Sequence, residues 1–195
     1  MTGTVPPQHG FWSQTHSGAA LDLLAPHPDA IVFDDIVRGL SRTARFNGQT
    51  IRFYSVAQHS LLVADILKAW GADLATQRLG LLHDAPEAYL GDIARPIKLL
   101  LPDYKRLEGQ VWEAVAQRFG LSIDLPAIVK DADNLALRAE AWHHLNVRID
   151  NWAGPLQEAR LPSDEAELML LAHFGTDYLL RDAFRDRWQM LGGRL

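Results

Sequence analysis

Residues 81–92, LLHDAPEAYLGD, carry one histidine and three carboxylic acids directly after two leucines. His83 and Asp84 are neighbours, and Glu87 and Asp92 follow within the next eight positions. Ionised side chains are costly to bury unless a cation or several hydrogen-bond donors compensate them. Pro86 removes a backbone donor and breaks a helix, so we expect the His83–Asp84 pair to lie where a buried helix ends or kinks.

The sequence on both sides of this stretch has helical signals. Asp73 has the residue type of an N-cap for the helix that leads into His83. Further upstream, Ser55 and Gln58 have the spacing of a capping box, which predicts a helix from Ser55 to about Trp70. Two helices should therefore precede the polar cluster in quick succession.

The rest of the chain predicts further helices and no confident strand, so we expect an all-α protein. The predicted helices run from Asp34 toward Arg45, over 103–119 with Gly120 behind it, from Pro126 to about Asn146, and after Ser163. We expect an irregular N-terminal segment, 1–28, and one helical domain, 29–195, with core motifs in 33–145 and C-terminal helices in 163–191. That last amphipathic part is suited either to closing the core or to a two-fold interface.

Composition limits the function classes. The chain has 195 residues, 48% of them hydrophobic, which is enough for one domain with a substantial core. With 19 basic and 24 acidic residues it has a net charge of −5, so we expect neither a nucleic-acid polymer nor a membrane as partner. Its N-terminal residues have no signal-peptide pattern, and we expect a cytoplasmic protein. There is no cysteine, so metal ligands must be His, Asp or Glu.

Two further polar residues lie on apolar helix faces. His59 shares its face with Val56, Leu62 and Val63, and Asp133 shares its face with Val129 and Ala136. Each has an ordinary explanation: a lone core histidine bonds backbone, and a buried aspartate pairs with a cation. Lys130 and Arg138 are such cations, although both are expected on other sides of the helix.

One divalent cation accounts for these residues together. His59, His83, Asp84 and Asp133 would supply two imidazoles and two carboxylates from separate helices, leaving positions for water and substrate. This ligand set suits one ion of Mn²⁺, Co²⁺, Fe²⁺, Ni²⁺ or Zn²⁺. Such an ion lowers the pKa of bound water toward neutrality.

The order His59, His83–Asp84, Asp133 resembles the H…HD…D signature of the HD-domain metal-dependent phosphohydrolases. The stretches SVAQHS, LLHDAPEAYLGD and RPIK are similar to the 5′-deoxynucleotidase (YfbR-like) branch of that superfamily, over about residues 33–145. The resemblance implies a single HD-domain helical bundle, and it implies that Glu87 and Asp92 are catalytic. How the two acids divide the orientation of water and the proton transfers is open, and a solvated helix end is their ordinary alternative.

The same resemblance assigns substrate contacts. The phosphate-binding arginine of the branch corresponds to Arg45, whose forked guanidinium suits paired phosphate oxygens. Phe46 stands where the branch often has a tryptophan against the sugar, which leaves the preference for deoxyribose open. Arg42 and Lys98 are additional candidates for phosphate binding. Any of these cations alone is more often a surface charge.

These residues predict a phosphohydrolase that uses water and no covalent nucleophile, and the resemblance implies that its substrates are nucleotides. The resemblance favours (deoxy)nucleoside 5′-monophosphates as substrates and a homodimer as the assembly. One alternative is a dNTP triphosphohydrolase, which extra cations such as Arg95 and Lys98 would favour. Another is a nucleotide-binding sensor without turnover. Hydrolysis of (p)ppGpp ranks below both nucleotide reactions because we expect a single domain, without those usually appended in such enzymes.

Overall fold

The computed structural model describes residues 10–145 and 177–194, which are mostly helical. The α-helices in these residues are α1 Phe33–Arg42, α2 Val56–Ala69, α3 Leu74–Leu82, α4 Glu87–Leu90, α5 Arg95–Lys98, α6 Pro102–Phe119, α7 Ala127–His144 and α8 Asp177–Met190. Short 3₁₀ turns cover Pro28–Ala30 and Arg45–Gly48. The all-α prediction is confirmed. None of the helices in the described ranges is both long and apolar enough to cross a membrane.

The N-terminal segment contains a small hairpin that was not expected from the sequence. Strands β1, Trp12–Gln14, and β2, Ala20–Asp22, pair antiparallel with Ser13 opposite Leu21. Leu21 is fully buried in the core, and Asp35 of α1 accepts hydrogen bonds from the backbone N–H and the hydroxyl of Ser17. The expectation of a wholly irregular start is therefore wrong for residues 12–22, because strands of three residues are too short to show a periodic pattern.

Helix α2 lies at the centre of the fold, in contact with α1, α3, α7 and α8. Apolar residues on several of its faces are buried, among them Leu61, Leu62, Val63 and Leu67. A helix that is apolar over most of its surface is suited to this position because its neighbours remove most of its faces from water. The fully buried His59 is thus carried into the middle of the molecule.

The local signals in the sequence set the helix ends that matter for the site. Ser55 and Gln58 form the predicted capping box at the start of α2, and the Asp73 carboxylate accepts from the Thr76 N–H at the start of α3. Helix α3 ends at Leu82, so His83 is its C-cap, as the sequence predicts. Gly120 ends α6 in the left-handed region, with φ 63°.

The last described helix, α8, closes the core. Phe184, Trp188 and Leu191 are buried, and the ring of Phe33 in α1 stacks on Trp188 with centroids 5.3 Å apart. This supports core closure, the first of the two alternatives for the C-terminal segment. Helix α7, predicted to reach about Asn146, ends at His144, with Leu145 as an extended C-cap. The predicted cap at Ser163 lies outside the described residues.

Candidate metal centre and acid cluster

The side chains of His59, His83, Asp84 and Asp133 converge in the structure, although they come from α2, from the end of α3 and from α7. The Nε2 atom of His59 lies 3.4 Å from His83 Nε2, 3.4 Å from Asp84 Oδ2 and 3.3 Å from Asp133 Oδ1. His83 Nε2 lies 3.3 Å from Asp84 Oδ2 and 3.9 Å from Asp133 Oδ1. One nitrogen or oxygen of each predicted ligand is therefore turned toward a common point.

Both imidazoles are held so that Nε2 faces this point. His83 Nδ1 lies 2.7 Å from the Gly80 carbonyl oxygen, and His59 Nδ1 lies 2.6 Å from Glu140 Oε1. Carbonyl and carboxylate oxygens only accept, so each Nδ1 carries the proton and donates it. Nε2 is then the ring atom available to a cation.

Close packing of α3 on α2 brings the two histidines together. Gly80 faces Leu67 and Val63 of α2, and a Cβ atom at this position would overlap the side chain of Leu67. Because His83 donates to the carbonyl of Gly80, the same glycine sets both the spacing of the helices and the orientation of the ring. The sequence indicates that Gly80 leaves room for close packing, but a glycine in a helix does not reveal which neighbour fills that room.

The environment of Asp133 partly corrects the expectation from the sequence. Lys130, expected on another side of α7, donates from Nζ to Asp133 Oδ2 at 2.6 Å, as residues three apart on a helix can do. The other oxygen, Oδ1, faces the histidines. Burial opposes ionisation of Asp133, but the hydrogen bond to His59 and the nearby charges of His83, His59 and Lys130 outweigh it and hold its pKa well below the usual value.

This donor set fits a divalent cation. Ligand atoms bonded to a shared ion at about 2.1 Å lie roughly 3.0 to 3.4 Å apart, close to the spacings here. Burial and Arg45 lower the pKa of His59, yet Glu140 and the hydrogen bonds to Asp133 and Glu140 raise it to about 10. The centre thus favours positive charge, and His59, His83 and Asp133 form the group that could hold an ion, with Asp84 beside both rings.

The acid Glu87 lies at the start of α4 and is almost completely buried, with 3% of its surface exposed. Its Oε1 accepts from Lys98 Nζ at 2.8 Å, while within the described residues Oε2 is buried without a hydrogen-bond partner. Burial, followed by the charges of Asp84 and Asp92, raises the pKa of Glu87 well above its usual value. Glu87 is therefore adjacent to the metal centre with one oxygen available for a proton.

The lysine that contacts Glu87 is also bound by a second acid. Lys98 Nζ lies 2.7 Å from Glu108 Oε1 of α6, so this ammonium group is paired with two carboxylates. Burial lowers the pKa of Lys98, but Glu87 and Glu108 more than compensate and raise it. Lys98 was predicted from the sequence as a phosphate ligand, whereas its contacts here hold Glu87 in place.

Asp92 follows a tight turn after α4. Gly91 has a φ of 82°, which favours glycine, and the Tyr104 hydroxyl donates to its carbonyl. Burial raises the pKa of the Asp92 carboxyl, Arg45 and Lys98 oppose this, and Asp84 adds to it. Asp92 thus belongs to the same electrostatic cluster as Asp84 and Glu87.

Arg45 is buried beside the centre and is held by Glu140, a residue that was not predicted from the sequence. Its Nε and Nη2 atoms each lie 3.0 Å from Glu140 Oε2, and Nη1 lies 3.7 Å from Asp84 Oδ2. Glu140 is fully buried and also accepts from the Tyr54 hydroxyl at 3.1 Å. The sequence feature that could have identified Glu140 is its position two helical turns after Asp133, on the same face of α7.

The backbone around Arg45 is unusual. Arg45 does not end α1, as expected from the sequence, but begins a 3₁₀ turn after α1 has ended at Arg42. An isolated bridge between Ala44 and Ser55 ties the turn to the start of α2. Phe46 has a φ of 54°, a costly conformation for a residue with a bulky side chain. Its ring centroid lies 5.5 Å from the Arg45 guanidinium carbon, so Phe46 covers the arginine.

Arg42 lies at a different place. With Arg38, His16 and Tyr89 it lines a cavity of about 300 Å³ between the hairpin, α1 and α4. The described lining of that cavity does not include Arg45, Glu87 or a predicted metal ligand. The structure therefore brings the other predicted site residues into or next to the centre and places Arg42 in the lining of another cavity.

The fold and these contacts define a helical protein with a buried His/Asp centre and an adjoining arginine and acid cluster. The HD domain family profile matches residues 56–172, and the chain belongs to the HD domain family. That family places it among the metal-dependent phosphohydrolases and supports a metal-dependent hydrolase in general terms.

Two uncharacterized bacterial proteins are similar to the chain. A protein of Rhodobacter capsulatus is 43% identical over 139 residues, which cover 67% of this chain and 71% of the relative. The protein YfdR of Escherichia coli is 42% identical over 112 residues, covering 57% of this chain and 60% of YfdR. The names of both relatives assign no substrate, so these similarities concern the fold and the family.

Proposed function

We propose that the protein hydrolyses (deoxy)nucleoside 5′-monophosphates to nucleoside and phosphate. The observation that carries this proposal is the position of Arg45 Nη1, 3.7 Å from Asp84 Oδ2, next to the four converging ligand atoms. A phosphate oxygen near Asp84 would meet a guanidinium N–H and the metal centre together. A divalent cation bound by His59, His83, Asp84 and Asp133 would polarise the phosphate and activate water.

The reaction requires little beyond these residues. The oxygen of water forms a bond to phosphorus, the bond between phosphorus and O5′ breaks, and O5′ takes up a proton. The attacking water loses one proton, so proton transfer is balanced within the site. Glu87 supports one transfer through Oε2, which has no hydrogen-bond partner in the described part of the chain, and Asp92, the second acid of the cluster, supports the other.

The electrostatics favour one phosphate over three. Lys98 is paired with Glu87 and Glu108, and two nitrogens of Arg45 face Glu140. A triphosphate brings about two more negative charges than a monophosphate and needs further cations to compensate them. One contact supports the triphosphohydrolase alternative. Arg95 Nη2 lies 3.5 Å from Oδ1 of Asn134, the residue after Asp133, so this cation is near the metal centre.

The nucleoside part of the substrate rests on the resemblance to the 5′-deoxynucleotidase branch. Phe46 covers Arg45, so its aromatic ring would lie near the bound phosphate. This ring has no N–H for a hydrogen bond with the sugar. We therefore expect weaker discrimination between ribose and deoxyribose than a tryptophan would give. A homodimer stays a proposal on the same resemblance.

The test is product release from metal-stripped protein that has been resupplied with Mn²⁺ or Co²⁺. The panel contains NMPs, dNMPs and dNTPs, with orthophosphate and triphosphate separated by ion chromatography, and the His83→Ala variant serves as the control for contaminating phosphatases. Orthophosphate from the monophosphates supports the proposal. Triphosphate from dNTPs would replace it with the triphosphohydrolase, and nucleotide binding without any product would replace it with a sensor.

A further inference from the structure

We propose that Glu140 is a positioning residue that fixes His59 for metal binding and Arg45 for phosphate binding through one carboxylate. Its Oε1 faces His59 Nδ1 at 2.6 Å and the Tyr54 hydroxyl at 3.1 Å. Its Oε2 faces Nε and Nη2 of Arg45, each at 3.0 Å. The effect of this positioning on catalysis rests on the proposed function. The hydrogen bond between Glu140 and His59, and its effect on metal binding, do not.

The surroundings of Glu140 require a group that only accepts hydrogen bonds. The guanidinium of Arg45 contains donors and no acceptor, and His59 must donate from Nδ1 if Nε2 is to bind a cation. With the Tyr54 hydroxyl, four donors thus point at two oxygens. Only an ionised carboxylate satisfies all of them.

This arrangement also determines which part of Arg45 meets a substrate. Because Nε and Nη2 face Glu140, Nη1 is the nitrogen on the side of Asp84. Glu140 therefore aims the guanidinium at the metal centre in addition to orienting a ligand of that centre. Loss of the carboxylate should weaken metal binding and phosphate binding together, although Glu140 contacts neither.

The substitution Glu140→Gln would conflict with this pattern in a defined way. Arg45 has no acceptor for the new NH₂ group, so the amide oxygen should face Arg45 and the NH₂ group should face His59 and Tyr54. His59 would then accept at Nδ1 and carry its proton on Nε2, the atom needed for the metal. Glu140→Gln is thus nearly isosteric and changes the tautomer.

The experiment measures Zn²⁺ affinity by competition with a chromophoric chelator, and the ring ¹⁵N shifts of His59 in Zn²⁺-loaded protein. For Glu140→Gln we expect Zn²⁺ affinity to fall by about 10- to 100-fold and the His59 pattern to lose the protonated Nδ1. Tyr54→Phe is the matched control, because it removes one donor and keeps the bonds to His59 and Arg45. Its affinity and shifts should match the wild type.

Unchanged Zn²⁺ affinity and an unchanged His59 pattern in folded Glu140→Gln would overturn the proposal. An equal loss in Tyr54→Phe would also overturn it, since a general packing role would then suffice. If circular dichroism shows that Glu140→Gln does not fold, the wild-type protein decides: a Zn²⁺-loaded His59 ring protonated at Nδ1 supports the proposal, and one without a proton at Nδ1 would overturn it. Absence of nucleotide hydrolysis in every protein would count against the proposed function alone.

Discussion

The Nε2 atoms of His59 and His83 lie 3.4 Å apart, each with its Nδ1 committed to an oxygen acceptor. Two neutral imidazoles oriented in this way turn lone pairs toward each other, which is unfavourable unless a proton or a cation lies between them. The carboxylates of Asp84 and Asp133 beside both rings add to the demand for positive charge. The pair is therefore explained by a cation better than by core packing.

Removal of one ligand should abolish metal binding and activity together. We expect His83→Ala and Asp133→Ala to retain no stoichiometric metal after dialysis and to lose hydrolysis, because three donors do not replace four at this centre. Metal content by mass spectrometry and phosphate release are the measurements. His27→Ala, at an exposed histidine, is the control. Full activity of His83→Ala would contradict the metal assignment.

Removal of Glu87 should separate metal binding from catalysis. Glu87 lies outside the four ligand atoms, so Glu87→Ala should keep the metal. Loss of proton transfer should lower kcat by about 10²- to 10⁴-fold. Glu113→Ala, at an exposed acid of α6, should leave both properties unchanged. Equal loss of metal in Glu87→Ala would place Glu87 among the ligands instead.

The role of Lys98 can be read from the kinetic parameter that changes. If Lys98 holds Glu87, Lys98→Met should lower kcat by about tenfold or more with little change in KM, since the acid loses its orientation. If Lys98 binds phosphate, KM should rise instead. Lys105→Met, at an exposed lysine of α6, controls for the loss of a positive charge.

The sequence predicted the features that depend on local patterns. The capping box at Ser55, the cap at Asp73 and the break after His83 are written in neighbouring residues, and the structure confirms them. His59 and Asp133 were found because a histidine or an acid on an apolar face is anomalous by itself, and His83 and Asp84 because they follow an apolar stretch at a helix end. Their joint assignment followed because one divalent cation satisfies all four groups, and their order then matched the family motif.

The contacts that the sequence did not predict join distant residues. In the sequence, Glu140 is one of several acids on predicted helices. Its contacts with Arg45, Tyr54 and His59 become visible only in the structure. Lys98 was assigned by charge alone, but Glu108 reaches it from another helix. A pairing of two charges from separate helices depends on packing, which has no period in the sequence.

Acid should weaken the contribution of Glu140 to stability. Its pKa is lowered from 4.5 to about 2 in the folded protein, so the stabilisation is complete above pH 4.5 and is lost as the pH falls toward 2. The shift corresponds to about 3 kcal/mol. In urea unfolding of the metal-free proteins, the wild type should exceed Glu140→Gln at pH 6, and the difference should shrink by pH 3. A difference independent of pH would contradict the lowered pKa.

The contact between α1 and α4 should control the position of Glu87. A Cβ atom on Gly39 would lie 2.7 Å from the Cβ and carbonyl oxygen of Ala88, and backbone atoms cannot rotate away as a side chain can. Gly39→Ala should therefore push α4 outward, cost about 1 to 3 kcal/mol of stability and lower kcat through Glu87. Gly109 in α6 has nothing within 4 Å of the position that a Cβ atom would take, so Gly109→Ala should stabilise by up to about 1 kcal/mol at unchanged kcat. Thermal unfolding and phosphate release of the two variants decide the matter, and a Gly39→Ala protein with wild-type kcat would show that α4 holds Glu87 independently of α1.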